Sequence, residues 1–280
     1  TGALWPPAPF PKISSPNGGS IYLIAPSVTN SGVIRSDNGE VILAAGKSVE
    51  IVSSNSPDIR VTITAPDNQA VNLGQIIAQG GKVGIYGGLV KQGGIVNANT
   101  AVRGENGKIV FKATKDVTLE AGSSTTASGP TAGSITIQAD SGKAVVAGAV
   151  EANATQGKGG TIAIAGQQGV SVATTGSVAA NGLEGGSVTL SSSAASVAVA
   201  GTVTANAING RAGDIAIAAA TNASIASTGK VSASGGIGGG TVAISGGSAV
   251  TLDVGSNITA SGASGGTVSL SPGNITASGS

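Results

Sequence analysis

Seven evenly spaced copies of one short motif constrain this chain more than any other feature. The motif is one or two small residues, usually glycine, followed by x-Ile/Val-x-Ile/Leu. It reads Gly133-Ser134-Ile135-Thr136-Ile137, then Gly160-Thr161-Ile162-Ala163-Ile164 and Gly186-Ser187-Val188-Thr189-Leu190. The first copy carries Ile109 and Phe111, and later copies carry Ile215, Val242 and Val268 at the same place. The anchors Ile109, Ile135, Ile162, Val188, Ile215, Val242 and Val268 lie 26 or 27 residues apart. A period this constant means a solenoid in which each repeat is one structural unit.

Each unit holds two more alternating pairs. About 8 residues after the anchor come Val117/Leu119, Val170/Val172, Val197/Val199, Ala223/Ile225 and Val250/Leu252. About 15 residues after it come Val150/Ala152, Val178/Ala180, Val203/Ala205, Val231/Ala233 and Ile258/Ala260. Period-two alternation of β-branched residues with Thr, Ser and Ala marks strands. Three short strands per repeat, separated by Gly, Ser and Asn turns, predict an all-β fold: a right-handed parallel β-helix of about eleven rungs, roughly 50 Å tall at ~4.8 Å per rung. Ile135, Ile137, Ile162, Ile164, Val188, Leu190, Ile215 and Ile217 are expected to point inward.

A column of Asn and Ser follows the third strand: Asn99, Ser128, Asn153, Asn181, Asn206, Ser234 and Ser261. In stacked rungs these residues form a ladder at one corner, where Asn and Ser turn the chain through side-chain to backbone hydrogen bonds. A ligand-binding row is the alternative, but a corner ladder explains the spacing alone.

Residues 1–16 read as an extended arm, because Pro6, Pro7, Pro9 and Pro11 forbid helix and inner strand. The arm holds Trp5, the single tryptophan, and Phe10. It is expected either to fold over the first rung or to dock on another molecule. Residues 17–122 read as shorter rungs with anchors near Ile21, Val41, Val61 and Val83. Residues 123–280 are the regular repeats, continuous with them.

Residues 17–122 also carry distinctive words in order. They include Gly19-Ser20-Ile21-Tyr22-Leu23-Ile24-Ala25-Pro26, Asn38-Gly39-Glu40-Val41-Ile42-Leu43-Ala44-Ala45-Gly46, Leu73-Gly74-Gln75-Ile76-Ile77, Gly84-Ile85-Tyr86-Gly87-Gly88 and Lys112-Ala113-Thr114-Lys115-Asp116-Val117-Thr118-Leu119-Glu120-Ala121-Gly122. This stretch resembles the later part of the haemagglutination-activity domain of two-partner-secretion exoproteins, the filamentous-haemagglutinin-like adhesins. The resemblance implies export through an outer-membrane secretion partner, a right-handed β-helix folded outside a Gram-negative-type cell, and a part in adhesion or biofilm. The chain departs from the family's pattern in lacking the amino-terminal half of that domain. The Pro-rich arm stands in its place.

The residues argue against chemistry. With no His and no Cys, the common general base, thiol nucleophile and zinc ligands are absent. After residue 122 the carboxylates are Asp140, Glu151, Glu184, Asp214 and Asp253, each at a different phase of the repeat. They do not stack into the close pair a glycosidase needs. No catalytic residue, cofactor or metal is expected. A net charge of +1 without a basic cluster argues against nucleic acid, and no apolar run is long enough for a membrane span.

Asn153, Asn222, Asn257 and Asn274 begin Asn-x-Ser/Thr triplets that match a glycosylation acceptor, although such triplets arise by chance in a chain this rich in these residues. The outward positions mix Thr136, Ala163, Thr189, Ala216, Ala243 and Ser269, a poor lattice for ice. The pattern stops in phase: Val268-Ser269-Leu270 fills a first strand, and Ile275-Thr276-Ala277 repeats the third-strand signature. Two readings follow. One is a secreted subunit that stacks head-to-tail with its own copies into an extracellular fibre, residues 1–16 clasping the neighbour. The other is a shaft fragment of a large monomeric adhesin that binds glycans or host surfaces.

Overall fold

A computed structural model describes residues 11–46, 68–102, 106–271 and 274–277. These residues form a parallel β-solenoid with no helix. Thirty strands fall into three sheets of ten, here sheets A, B and C, and the chain visits them in strict rotation. Each turn is one rung. Rung 1 runs from Lys12 to Asn30, rung 2 from Val33 to Asn72, rung 3 from Gln75 to Gln92 and rung 4 from Ile95 to Leu119. Rungs 5 to 10 follow at the regular period and end with Asn257–Thr259, Thr267–Ser271 and Asn274–Ala277. Nine spacings of ~4.8 Å give a stack about 43 Å tall.

The repeat motif is the sheet B strand. Ile109, Ile135, Ile162, Val188, Ile215, Val242 and Val268 pair in register, each with the next. The motif's glycine is fixed by the closeness of successive rungs. A Cβ on Gly133, Gly160, Gly186, Gly213 or Gly240 would strike the carbonyl oxygen of the glycine one rung above. That carbonyl instead accepts a backbone bond from the next residue, as in Ser134 N to Gly107 O at 3.0 Å and Asp214 N to Gly186 O at 3.0 Å.

The core is one continuous column. Ile135, Ile137, Ile162, Ile164, Val188, Leu190, Ile215 and Ile217 are all 0–1% exposed, so the assigned inward phase is correct. Phe111 is the largest fully buried side chain and stacks between Ile85 and Ile137. Ala98, Ala127, Ala152, Ala180, Ala205 and Ala233 fill the tight corner between sheets A and B, where nothing larger recurs.

Three expectations need correction. First, Val41 pairs directly with Val83, so sheet B has no strand between them, and the described residues stack in ten rungs, not eleven. The expected anchor Val61 lies outside the described residues. Sheet C closes the same step: Val28 pairs with Ala70 and Asn30 with Asn72 across 42 positions of sequence. Second, the arm is shorter than residues 1–16, because Lys12–Ser14 is already a sheet A strand paired with Val33–Arg35. Third, Asn274–Ala277 belongs to sheet C, with Ile275 opposite Val250, and not to the third-strand column. It comes directly after the sheet B strand Thr267–Ser271, and the next strand in the rotation is always in sheet C.

Candidate functional site

Polar side chains form two ladders, one at a corner and one inside. The corner ladder lies between sheets A and B. Ser128 N donates to Asn99 Oδ1 at 2.7 Å, Asn153 N to Ser128 Oγ at 2.9 Å and Asn181 N to Asn153 Oδ1 at 2.9 Å. Asn206 N donates to Asn181 Oδ1 at 2.7 Å and Ser234 N to Asn206 Oδ1 at 2.8 Å. The Ser261 hydroxyl then meets that of Ser234 at 3.0 Å. Asn99, Ser128, Asn153, Asn181, Asn206 and Ser234 thus each accept a bond from a backbone N–H or a hydroxyl one rung below.

The inner ladder was missed at the sequence level. Asn30, Asn72 and Gln92 stack in sheet C at 7%, 0% and 0% exposure. Asn30 Nδ2 donates to Asn72 Oδ1 at 2.8 Å, and Asn72 Nδ2 to Gln92 Oε1 at 2.7 Å. The Gln92 amide ends on the carbonyls of Gly94 at 3.0 Å and Ser124 at 3.3 Å. Below them the same column carries Leu119, Val146, Val172, Val199 and Ile225. A signal was present: each of the three amides stands two residues before a glycine, Gly32, Gly74 or Gly94. Thr125, also fully buried, has a hydroxyl oxygen without a hydrogen-bond partner.

The outer faces carry little convergent chemistry. Asp140 pairs with Lys112 at 3.5 Å and Glu120 with Lys91 at 2.8 Å, both across neighbouring rungs and well exposed. Asp140 sits after a sheet B strand, Glu151 ends one of sheet A, Glu184 lies at a corner, Asp214 opens a sheet B strand and Asp253 follows one of sheet C. The five thus occupy different corners and faces. Among the described residues, no three His, Cys, Asp or Glu side chains are grouped to hold a metal ion. Tyr22 donates to Glu40 Oε2 at 2.7 Å. A bond with Ser20 lowers its pKa, but the Glu40 hydrogen bond, burial and the Glu40 charge outweigh it, and the phenol ends above its ordinary range.

Of the Asn-x-Ser/Thr triplets, Asn222, Asn257 and Asn274 are exposed at the starts of strands, while Asn153 is half-buried in the corner ladder. Of the arm, Trp5, Pro6, Pro7, Pro9 and Phe10 lie outside the described residues. Pro11 is described, and its carbonyl accepts the Val33 N–H at 2.9 Å. One groove of about 200 Å³ opens at the corner between sheets C and A, lined by Val33, Leu73, Gln75 and Ile95 over Gly32, Gly74 and Gly94.

The geometry defines a parallel β-solenoid in which polar side chains of the corner and inner ladders join rung to rung. Among solved structures, the secretion domain of HMW1 from Haemophilus influenzae has a similar fold, with a TM-score of 0.53 and 23% sequence identity. The match covers 96% of this chain and 63% of the HMW1 chain, so this chain spans less than two thirds of that domain. No family model and no curated protein matches the sequence. Among the described residues, no helix is long and apolar enough to cross a membrane.

Proposed function

We propose that this chain is a non-enzymatic, secreted, cell-surface solenoid, exported through an outer-membrane partner and serving as the stiff shaft of an adhesin-like exoprotein. The observation that supports it best is the uninterrupted register from rung 3 to rung 10. Every strand there pairs with the one above, the interior is apolar but for a few polar side chains such as Gln92 and Thr125, and the outward positions of sheet B are mostly Thr, Ser and Ala. Such an arrangement builds length and stiffness and leaves a flat outer face. The family words in residues 17–122 and the likeness to the HMW1 secretion domain support the export route. The test is protease treatment of intact cells that make the protein. Cleavage without lysis is expected, and full protection until the cells are broken would refute surface display.

Head-to-tail stacking into a fibre is the second reading: the open edge of a parallel solenoid can pair with further rungs of a longer chain or with a second copy. Electron microscopy of the purified protein separates the two: filaments support stacking, and single rods at high concentration support the shaft. Binding to surface glycans is a further part of the adhesin reading, and a glycan array tests it directly.

A further inference from the structure

We propose that residues 1–10 dock within their own chain into the groove at the corner between sheets C and A, with Trp5 and Phe10 as the anchoring rings. The groove spans rungs 2 to 4. Its walls are Leu73, 52% exposed, Ile95, 40% exposed, and half-buried Val33. The patch is local. In the column that holds Val33 and Ile95, the next rungs carry Ser124, Ala149, Ser177 and Thr202. Only the rungs nearest the arm therefore expose large apolar side chains at this position.

The floor explains the shape. Gly32, Gly74 and Gly94 stack so closely that a Cβ on Gly74 would meet the Gly32 carbonyl, and one on Gly94 the Gly74 carbonyl. The column is bare of side chains, and the wall residues stand on either side of a trough. Pro11 heads this same column: a Cβ on Gly32 would meet the Pro11 carbonyl. Pro11 thus marks the upper lip of the groove, and residues 1–10 are tethered there. The six steps from Trp5 to Pro11 reach up to about 20 Å, whereas rungs 2 to 4 span about 10 Å.

The arm has the matching chemistry. Four prolines in seven residues favour an extended chain that loses little freedom on docking, and the arm supplies the aromatic area that the groove lacks. A short tether also fixes the occupant. It gives the arm an effective concentration on the order of millimolar at its own groove, about a thousandfold above a second copy at micromolar concentration.

Trp5 is the single tryptophan, so its fluorescence reads the arm alone. The expected result for the intact protein is blue-shifted emission, protected from acrylamide quenching and unchanged on dilution. Replacing Leu73→Ser with Ile95→Ser should shift the emission to that of a free peptide of residues 1–12 and raise the quenching constant severalfold. Ile208→Ser, which alters an exposed apolar residue at another corner, should change neither. Phe10→Ser, which leaves the solenoid untouched, should raise quenching in the same direction. The proposal is overturned if the intact protein already emits like the free peptide, or if the groove variants leave the emission unmoved. A blue shift that disappears on dilution would overturn it too, because it would place the arm on a second copy.

Discussion

Replacing Asn72 with alanine should cost this solenoid more than replacing the whole inner ladder with leucine. Asn72 is fully buried, accepts from Asn30 Nδ2 and donates to Gln92 Oε1. Asn72→Ala removes both partners at once. The Asn30 amide keeps only a long contact to the Gln75 carbonyl at 3.3 Å, and the Gln92 carbonyl oxygen loses its donor. Two unmet buried groups at about 1–3 kcal/mol each put the cost at about 2–6 kcal/mol. In the triple variant Asn30→Leu, Asn72→Leu, Gln92→Leu no side-chain amide is left to orphan, and one group loses its partner, the Gly32 N–H that donates to Asn30 Oδ1 at 3.1 Å. The next residue down the column, Leu119, is 0% exposed, so the site accepts that side chain. The triple variant should therefore cost no more than about 1–3 kcal/mol, the penalty of that one buried N–H. Urea unfolding followed by far-ultraviolet circular dichroism measures both. An Asn72→Ala variant within about 0.5 kcal/mol of the parent would refute the reasoning, since that is the range of an ordinary surface change. So would a triple variant that loses as much stability as its three single replacements together.

Three further outcomes follow from the same geometry. Asn181→Ala takes the acceptor from the Asn206 N–H and should lower stability by about 1–3 kcal/mol, while Asn181→Ser should recover much of it, as Ser128 does in its own rung; a urea midpoint series distinguishes them. Thr125→Val removes a buried hydroxyl that has no partner, in a column otherwise held by Ile76, Val96 and Val150, and should raise Tm in a thermal melt. Tyr22 should ionise above the ordinary phenol range in an absorbance titration, and Glu40→Gln should bring it down. Because the folded pKa is the raised one, the stability that this contact contributes is complete below about pH 10 and lost as pH rises through the folded value.

The sequence by itself determined the period, the inward phase and the corner column. In a solenoid each rung touches only its neighbours, so a residue pattern repeated at constant spacing already specifies every contact of that kind. Ile135 over Ile162 and Asn153 over Asn181 were legible because the same residue types recur at the same offset. What lay outside the period needed the tertiary structure. Val41 and Val83 are 42 positions apart, and only the pairing of both sheet B and sheet C across that step shows that they are neighbours. One step of the inner amide ladder, Asn30 to Asn72, crosses the same 42 positions, and the glycine two residues after each amide was its one trace in the sequence. The end of the chain makes the point most directly. Asn257-Ile258-Thr259-Ala260 and Asn274-Ile275-Thr276-Ala277 are identical in sequence, yet one contributes the sheet A strand of rung 10 and the other its sheet C strand. Four residues that alternate apolar and polar fit any face of the prism. The strand before them and the rung above them decide which face they join.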